Sequence, residues 1–209
     1  MRVASTSASA RVKPLERREP QQERAARRRA KFLKVAEKLI AEVGYEGVTM
    51  TAIAAAAGAS IGTLYDYFPD KTAVAVALKT EYVAQGDAHW KRLLGDTAGM
   101  SREALAELFV EGALALAKEL PAYLELMAAP VMYTRSASLR RPLRRSVAGA
   151  LRAMDPKMEE ERALIYAEVI VQLIKGMLTV YREAMVKDRE SVAGEFKKVF
   201  RLYLVETLG

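Results

Sequence analysis

Two short helical patterns separated by a glycine constrain the fold of this chain more than any other feature, and both lie within residues 49–71. Thr49 is suited to cap the first helix, and Ile53 and Ala54 predict its inward face. Gly58 follows, a residue that adopts the left-handed backbone conformation without a Cβ penalty and so ends a helix. The segment therefore predicts a tight helical corner.

The second helix of this corner carries side chains suited to a DNA groove. Ser60 is a natural N-cap, and Leu64 and Phe68 recur at a four-residue spacing that predicts a buried face. Pro69 ends the helix, because the residue before a proline disfavours the helical conformation. The residues left pointing away from the core are small, polar or phenolic: Ile61, Gly62, Thr63, Tyr65 and Tyr67.

The start of the following helix holds an unexpected cation. Asp70 can cap this helix, which places Lys71 in its first turn. A positive charge opposes the helix dipole at that end. Lys71 therefore suggests an external anion such as a phosphate.

These residues resemble the DNA-binding domain of the TetR family of transcriptional regulators. The resemblance rests on the runs 44–49 and 57–68, together with Ile53, Ala54 and Lys71, and covers roughly residues 27–78. Ala59 stands where the family often has valine, which loses some packing under the recognition helix. The resemblance implies an all-α homodimer that binds a roughly palindromic double-stranded DNA operator and is released by a small-molecule effector.

The resemblance also assigns roles to single residues. Ile61 has no polar atom, so a thymine methyl group is its expected partner, whereas Thr63 can bond a base or a phosphate. For Tyr65 and Tyr67 the alternative is packing within the small domain. The full set of expected DNA-binding residues is Arg27, Arg28, Thr49, Ser60, Ile61, Gly62, Thr63, Tyr65, Tyr67 and Lys71.

Positive charge is concentrated at the N-terminal end. Residues 1–31 hold ten Lys and Arg against three Glu, which accounts for the whole net charge of +7. Residues 1–23 lack apolar periodicity, and we expect a disordered basic arm there. Either this arm is only a soluble tail or it contributes phosphate attraction. For residues 27–31 phosphate attraction is favoured, because they adjoin the predicted DNA-binding helices.

Helical periodicity continues over the rest of the chain, and we predict an all-α protein of about nine helices. The first helix has a stripe that ends at Val43 and is stopped by Gly44. Further helices are expected at 71–94, 101–118, 121–133, 137–153, 159–187 and 191–207. We therefore divide the chain into the arm, a DNA-binding domain over 24–72 and an effector-binding and dimerisation domain over 73–209.

The last two predicted helices are candidates for a dimer interface. Between Leu164 and Tyr181, apolar residues would cover almost the full circumference of the predicted helix. A helix that is apolar all round must be buried on two sides, and two such helices from each subunit would form a four-helix interface. The alternative is that both helices fill the monomer's own core. The resemblance favours a homodimer through helices 159–187 and 191–207.

An effector pocket in the second domain follows from the resemblance alone. Adaptable sulfur and amphipathic rings suit a largely apolar small molecule, although such residues at helical spacing also serve simply as core. A basic run that includes Arg140, Arg144 and Arg145 suggests either an anionic effector or, more simply, a solvated face. The candidate pocket residues are Trp90, Tyr123, Met127, Met132, Tyr133, Tyr166, Met177 and Tyr181.

Composition argues against several other classes. The chain has no cysteine and one histidine, so disulfides and thiolate sites are excluded and most metal or acid–base sites are disfavoured. It shows no Gly-rich phosphate loop, and we expect a non-enzymatic protein without cofactor or metal. With no run of 18 apolar residues and no signal-like N-terminus, we expect a cytoplasmic protein without a membrane span. Repression is implied by the resemblance, and activation is the alternative.

Overall fold

The computed structural model describes residues 21–129 and 136–208, excluding the side chains of residues 136–141. Within these ranges the chain forms nine α-helices, one 3₁₀ helix at Val186–Asp188 and no strand, which confirms the predicted all-α class. The helices are α1 Gln21–Gly47, α2 Met50–Ala56, α3 Ile61–Tyr65, α4 Lys71–Leu93, α5 Arg102–Glu119, α6 Tyr123–Ala128, α7 Ser136–Met154, α8 Glu160–Glu183 and α9 Arg189–Leu208.

The N-terminal boundary of α1 differs from the prediction. Of the arm expected to be disordered over 1–23, residues 1–20 lie outside the described residues, but residues 21–23 form the first turn of α1. Glu23 sits favourably at the positive end of the helix dipole and pairs with Arg27 one turn later at 3.7 Å. These local charges extend the helix into a segment that lacks apolar periodicity.

The C-terminal end of α1 bends at Gly44, where φ is +73°. The chain changes direction there, so Tyr45 and Val48 enter the core at 8% and 2% exposure. Val43, predicted on the buried stripe, is instead 57% exposed. The stripe prediction was wrong at this residue because the chain turns at Gly44, and Tyr45 and Val48 beyond the bend enter the core instead of Val43.

The later helices differ from the predictions mainly at their ends. The expected helix over 121–133 is limited to α6 within the described residues, because Ala129 already leaves the helical conformation with ψ at 133°. The expected helix over 159–187 ends at Glu183, and the 3₁₀ turn then leads directly into α9.

Helix α4 joins the two parts of the fold. The small N-terminal unit packs α1 against α2 and α4 around buried Phe32, Ile40, Ile53 and Leu64. The larger part packs α7 against α8, α5 against α9 and α8 against α9, with α4 contacting α5, α6 and α7. Helix α6 also reaches both parts, because it contacts α1 as well as α8.

Helix α8 is the one described helix that is long and apolar enough to cross a membrane by length and composition alone. Its buried residues face α5, α6, α7 and α9, as in a core helix of a globular protein. Ile165 and Val169 on another side of α8 are exposed. The unusual composition of this helix therefore combines a core face with an uncovered apolar face.

Candidate nucleic-acid interface and helical-domain cavity

Helix α3 is held at its base and open at its outer face. Leu64 and Phe68 are 0% and 3% exposed, as the four-residue spacing predicted. The Oγ of Ser60 accepts a hydrogen bond from the N–H of Thr63 at 3.1 Å, which caps the helix. Ile61 and Tyr65 remain 38% and 50% exposed. The helix ends at Tyr65 and not at Pro69 as predicted, so Leu64 anchors it from within and Phe68 anchors the turn that follows, while an apolar and a phenolic side chain face outward.

The corner before α3 forms as predicted. The Oγ1 of Thr49 accepts a hydrogen bond from the N–H of Ala52 at 3.1 Å and caps α2. Gly58 has φ of +63°, and no atom lies within 4 Å of the position that a Cβ would occupy. Glycine is therefore required at this position by its backbone conformation and not by lack of space.

A groove of about 590 Å³ runs between the first turns of α1 and the helical corner. On one side lie the basic residues Arg24, Arg27, Arg28 and Lys31, and on the other lie residues 57–59 and Tyr67. The structure thus brings the predicted residues Arg27, Arg28 and Tyr67 to one place. Cations on one wall of a groove favour a polyanion.

Tyr67 serves both the core and this groove. Its ring packs on Phe32 with centroids 5.5 Å apart, and the side chain is only partly buried. The two alternatives considered for this residue, packing and contact with DNA, are therefore compatible. Tyr65 has no such ring contact among the described residues and is the more exposed of the two.

Lys71 has an internal partner that the sequence did not reveal. Its Nζ donates to the carbonyl oxygens of Tyr45 and Glu46 at 3.0 and 3.3 Å and lies 4.5 Å from the Tyr45 ring centroid. The turn after the Gly44 bend thus supplies acceptors for this cation. An external anion is not needed to explain a lysine at the start of α4.

Arg29 has a different role from its basic neighbours. Its guanidinium lies 3.5 Å from the Glu81 carboxylate on α4 and 5.4 Å from the Phe68 ring centroid. It therefore braces α1 against α4 and does not line the groove. This division of the arginines follows from the helical repeat, which places residues 24, 28 and 31 on one face.

Comparison with known proteins agrees with this geometry. Residues 32–78 match the family model of bacterial regulatory proteins of the tetR family. This part of the chain is therefore similar to the DNA-binding domain of tetR-family regulators. A sequence comparison with curated proteins finds no significant match. The TetR domain model thus covers the helical corner, the end of α1 and the start of α4.

Solved structures of TetR-family regulators share the fold over nearly the whole chain. One from Pectobacterium atrosepticum has a TM-score of 0.71 at 22% identity, covering 91% of this chain and 98% of its own. One from Streptomyces coelicolor has a TM-score of 0.65 at 21% identity, covering 87% and 99%. The regulator FadR from Bacillus subtilis, in complex with stearoyl-CoA, has a TM-score of 0.59 at 16% identity, covering 86% and 99%.

The larger helical part of the fold contains two adjoining chambers beside α4, of about 220 and 200 Å³. Trp90, Tyr123 and Met127, three of the eight residues predicted to line a pocket, border both chambers. Burial raises the pKa of Tyr123 to about 12, so its hydroxyl stays protonated at neutral pH. Together the chambers approach the size of small-molecule sites, which is roughly 300–1,000 Å³.

The other pocket predictions do not converge on these chambers. Met177 is fully buried in the core and lines neither of them. Tyr166 packs edge-on against Tyr203 and bonds Arg162, while Tyr181 stacks under Arg189 near α9. Helical spacing alone did not reveal which side of α8 each residue occupies. Met132 and Tyr133 lie outside the described residues.

Polar residues of the cavity wall were missed. Lys79, Asp87 and Lys175 line the first chamber, and Arg182 lines the second. Lys79 and Asp87 interrupt an apolar face of α4 at positions eight residues apart, and that interruption was the available signal. Asp87 pairs with Lys91 at 2.8 Å through Oδ2, and its buried Oδ1 lacks a hydrogen-bond partner among the described residues.

Tyr82 links the cavity to the small N-terminal unit. The Tyr82 side chain lines the first chamber. Its hydroxyl donates a hydrogen bond to Glu37 Oε1 on α1 and accepts one from the N–H of Ala122 at 3.2 Å. Burial and then the Glu37 hydrogen bond raise the pKa of this phenol. One buried side chain therefore connects α1, α4 and the residue that precedes α6.

The single histidine is a satisfied core residue. His89 is 5% exposed, and its Nε2 lies 2.9 Å from the carbonyl oxygen of Gly112 on α5. Its ring meets Trp90 edge-on at 5.7 Å between centroids. His89 thus helps to position the indole that borders both chambers, and it does not line either of them.

Proposed function

We propose that this chain is a TetR-family transcriptional regulator that binds a roughly palindromic operator as a homodimer and is released by a small-molecule effector. Repression is the mode that we expect. The observation that carries the proposal is the groove in which Arg27, Arg28 and Tyr67 adjoin the glycine corner, beside the exposed face of α3. We assign DNA binding to residues 24–72, and effector binding and dimerisation to residues 73–209.

Within this interface, sequence reading and anchoring fall to different residues. We assign the contacts to base edges to Ile61 and Thr63 on α3, and Gly62 would let the backbone approach the DNA closely. Contacts to phosphate position a protein without specifying sequence. We assign these contacts to Arg27, Arg28, Thr49, Ser60, Tyr65, Tyr67 and Lys71. Lys71 would use its third donor, because the Tyr45 and Glu46 carbonyl oxygens accept from the other two.

The exposed apolar faces of α8 and α9 support the homodimer. Ile165 and Val169 on α8 are 62% and 38% exposed, and Val199, Leu202 and Val205 on α9 are 42%, 65% and 44% exposed. Pairing these faces around a twofold axis would cover them in a four-helix arrangement. The same symmetry would present two α3 helices to half-sites about 34–36 Å apart.

The cavity beside α4 supports control by an effector. Helix α4 follows α3 after only a short turn, so a shift of α4 would move the DNA-reading helix. A ligand changes this balance only if it binds the DNA-free arrangement more tightly than the DNA-bound one. FadR from Bacillus subtilis, which has this fold, is seen with stearoyl-CoA. The acyl chain of that ligand supports an effector with a largely apolar body here as well.

Selection of genomic DNA fragments on the immobilised protein, followed by fluorescence anisotropy on the selected duplex, tests the proposal. Ile61→Ala should weaken binding to the selected duplex by about 1–2 kcal/mol, because it removes an apolar contact, and leave random DNA unaffected. Arg28→Ala should weaken both and lower the salt dependence by about one counterion.

Lys38→Ala is the matched control, because Lys38 is an exposed cation of α1 that does not line the groove. It should bind like the wild type. Failure to select any duplex, or equal losses for Lys38→Ala and Arg28→Ala, would contradict the proposed interface. Transcription in vitro from the selected duplex then decides between repression and activation.

A further inference from the structure

Lys79 places a buried cation in the wall of the cavity beside α4. The residue is 8% exposed and lines the first chamber together with Tyr82 and Trp90. Its Nζ donates to the carbonyl oxygen of Ala129 at 3.5 Å, the limit for a hydrogen bond. An ammonium group has three donors, so most of its bonding capacity is available inside the chamber.

No carboxylate among the described residues neutralises this cation. Asp87 in the same chamber is paired with Lys91 at 2.8 Å, and Glu125 nearby is paired with Arg182 at 3.6 Å. The segment that follows Ala129, residues 130–141, contains three arginines and neither Asp nor Glu. The sequence of that segment therefore holds no carboxylate that could serve as a counter-ion to Lys79.

A buried ammonium without a counter-charge is energetically costly. Burial lowers the pKa of Lys79, as expected for a cation removed from water without a compensating anion. The rest of the chamber wall is largely apolar, with Val83, Leu116, Leu143 and Val171. A molecule with one negative group and an apolar body would satisfy both kinds of surface.

The positions of Lys79 and Trp90 along α4 suggest how a ligand would be oriented in the cavity. Lys79 and Trp90 lie eleven residues apart on the same side of the helix, which is a separation of about 16 Å. Lys175 contributes a second positive charge from α8, and it borders both chambers. Asp87 lies between Lys79 and Trp90 with its charge already balanced, so its unpartnered Oδ1 suits a neutral donor.

We propose that the ligand of this cavity is an apolar monoanion whose charged group is held by Lys79 and whose body extends towards Trp90. This inference rests on the proposed function in that it names the chemical class of the effector. It does not depend on the operator, and it can be tested on the DNA-free protein.

The fluorescence of Trp90 provides the assay, because it is the only tryptophan in the chain and borders both chambers. The full-length protein is titrated with octanoate, 1-octanol and octylammonium, which share one chain and differ in the charge of the head group. We expect octanoate to bind at least about tenfold more tightly than 1-octanol, and octylammonium to bind most weakly.

Lys79→Met should remove the preference for octanoate and leave the affinity for 1-octanol unchanged, whereas Lys79→Arg should keep the preference. Lys38→Gln, which removes an exposed cation of α1, should behave like the wild type. Thermal unfolding confirms that Lys79→Met is folded, and we expect it to be, since an apolar side chain replaces an uncompensated charge.

Three results would overturn the anion assignment: equal binding of octanoate and 1-octanol, tighter binding of octylammonium, or an unchanged preference in Lys79→Met. In each of these cases the proposed effector cavity itself would stand, since ligands still bind at Trp90. If none of the three molecules alters Trp90 emission, both the anion assignment and the effector cavity fail, while DNA binding is judged separately by the anisotropy experiment.

Discussion

Replacing Tyr82 by phenylalanine removes a single hydroxyl that joins three parts of the fold. Tyr82 is 2% exposed, and its hydroxyl bonds the Glu37 carboxylate of α1 and the N–H of Ala122, a fully buried residue. The phenylalanine ring fills the same space, so the change leaves the packing intact. Its effect therefore isolates the hydrogen bonds.

Two losses add up in this variant. The N–H of Ala122 is left buried without its acceptor, which costs about 1–3 kcal/mol. The hydrogen bond to the charged Glu37 is also lost, and such bonds contribute about 1.5–3 kcal/mol, reduced here because the carboxylate is partly exposed and can bind water. We expect the free energy of unfolding to fall by about 2–4 kcal/mol.

Guanidinium denaturation followed by circular dichroism measures this loss. The protein concentration must be held constant, since the proposed dimerisation would couple stability to concentration. Tyr65→Phe is the matched control, because Tyr65 is 50% exposed and has no hydroxyl partner among the described residues. It should change stability by less than about 0.5 kcal/mol.

The same pair of proteins gives a prediction for pH. Because the folded state raises the pKa of Tyr82, the stability that its protonated hydroxyl provides is fully present below the unfolded pKa of about 10 and declines as the pH rises further. The difference between wild type and Tyr82→Phe should be constant at neutral pH and shrink in alkali. A difference as small as that of Tyr65→Phe at neutral pH would refute the bridging role.

Two further variants test the corner and the dimer. Gly58→Ala should cost about 1 kcal/mol in chemical denaturation, since open space surrounds the residue and only its positive φ resists a side chain; a gain in stability would contradict this. Leu202→Glu should halve the mass measured by light scattering, because it places a charge on the exposed apolar face of α9, whereas Val43→Glu, at an equally exposed site on α1, should stay dimeric. A Leu202→Glu protein of unchanged mass would place the interface elsewhere.

The helical corner could be read from the sequence because its determinants are local. Thr49, Ser60 and Asp70 cap their own helices, and Gly58 sets its own backbone conformation. Each acts within about four residues, so sequence spacing contains the needed information. The internal partners of Lys71 could not be predicted in this way, because its carbonyl acceptors lie 25 and 26 residues earlier in the chain.

The pocket residues on α8 could not be predicted from the sequence either, because their positions also depend on tertiary packing. Tyr166, Met177 and Tyr181 lie on one helix that is apolar nearly all round, so its periodicity does not distinguish the side that faces α4 from the sides that face the core or α9. Tertiary packing makes that choice. Trp90, Tyr123 and Met127 were likewise predicted from their residue types alone. They border one cavity because α4 and α6 lie against each other.

Polar residues on α4 identify the functional side of the cavity better than its aromatic residues do. An aromatic ring packs equally well in a core and against a ligand. A buried lysine without a carboxylate partner is unfavourable in a core and is not in contact with bulk water. Lys79 and Tyr82 lie within one turn of α4, the first facing the ligand space and the second bonding α1 through Glu37. Under the proposed function, a ligand that draws Lys79 inward would act on the helix turn that holds the small N-terminal unit. The proposed charge of the effector and a displacement of α3 would then be linked through a single turn of α4.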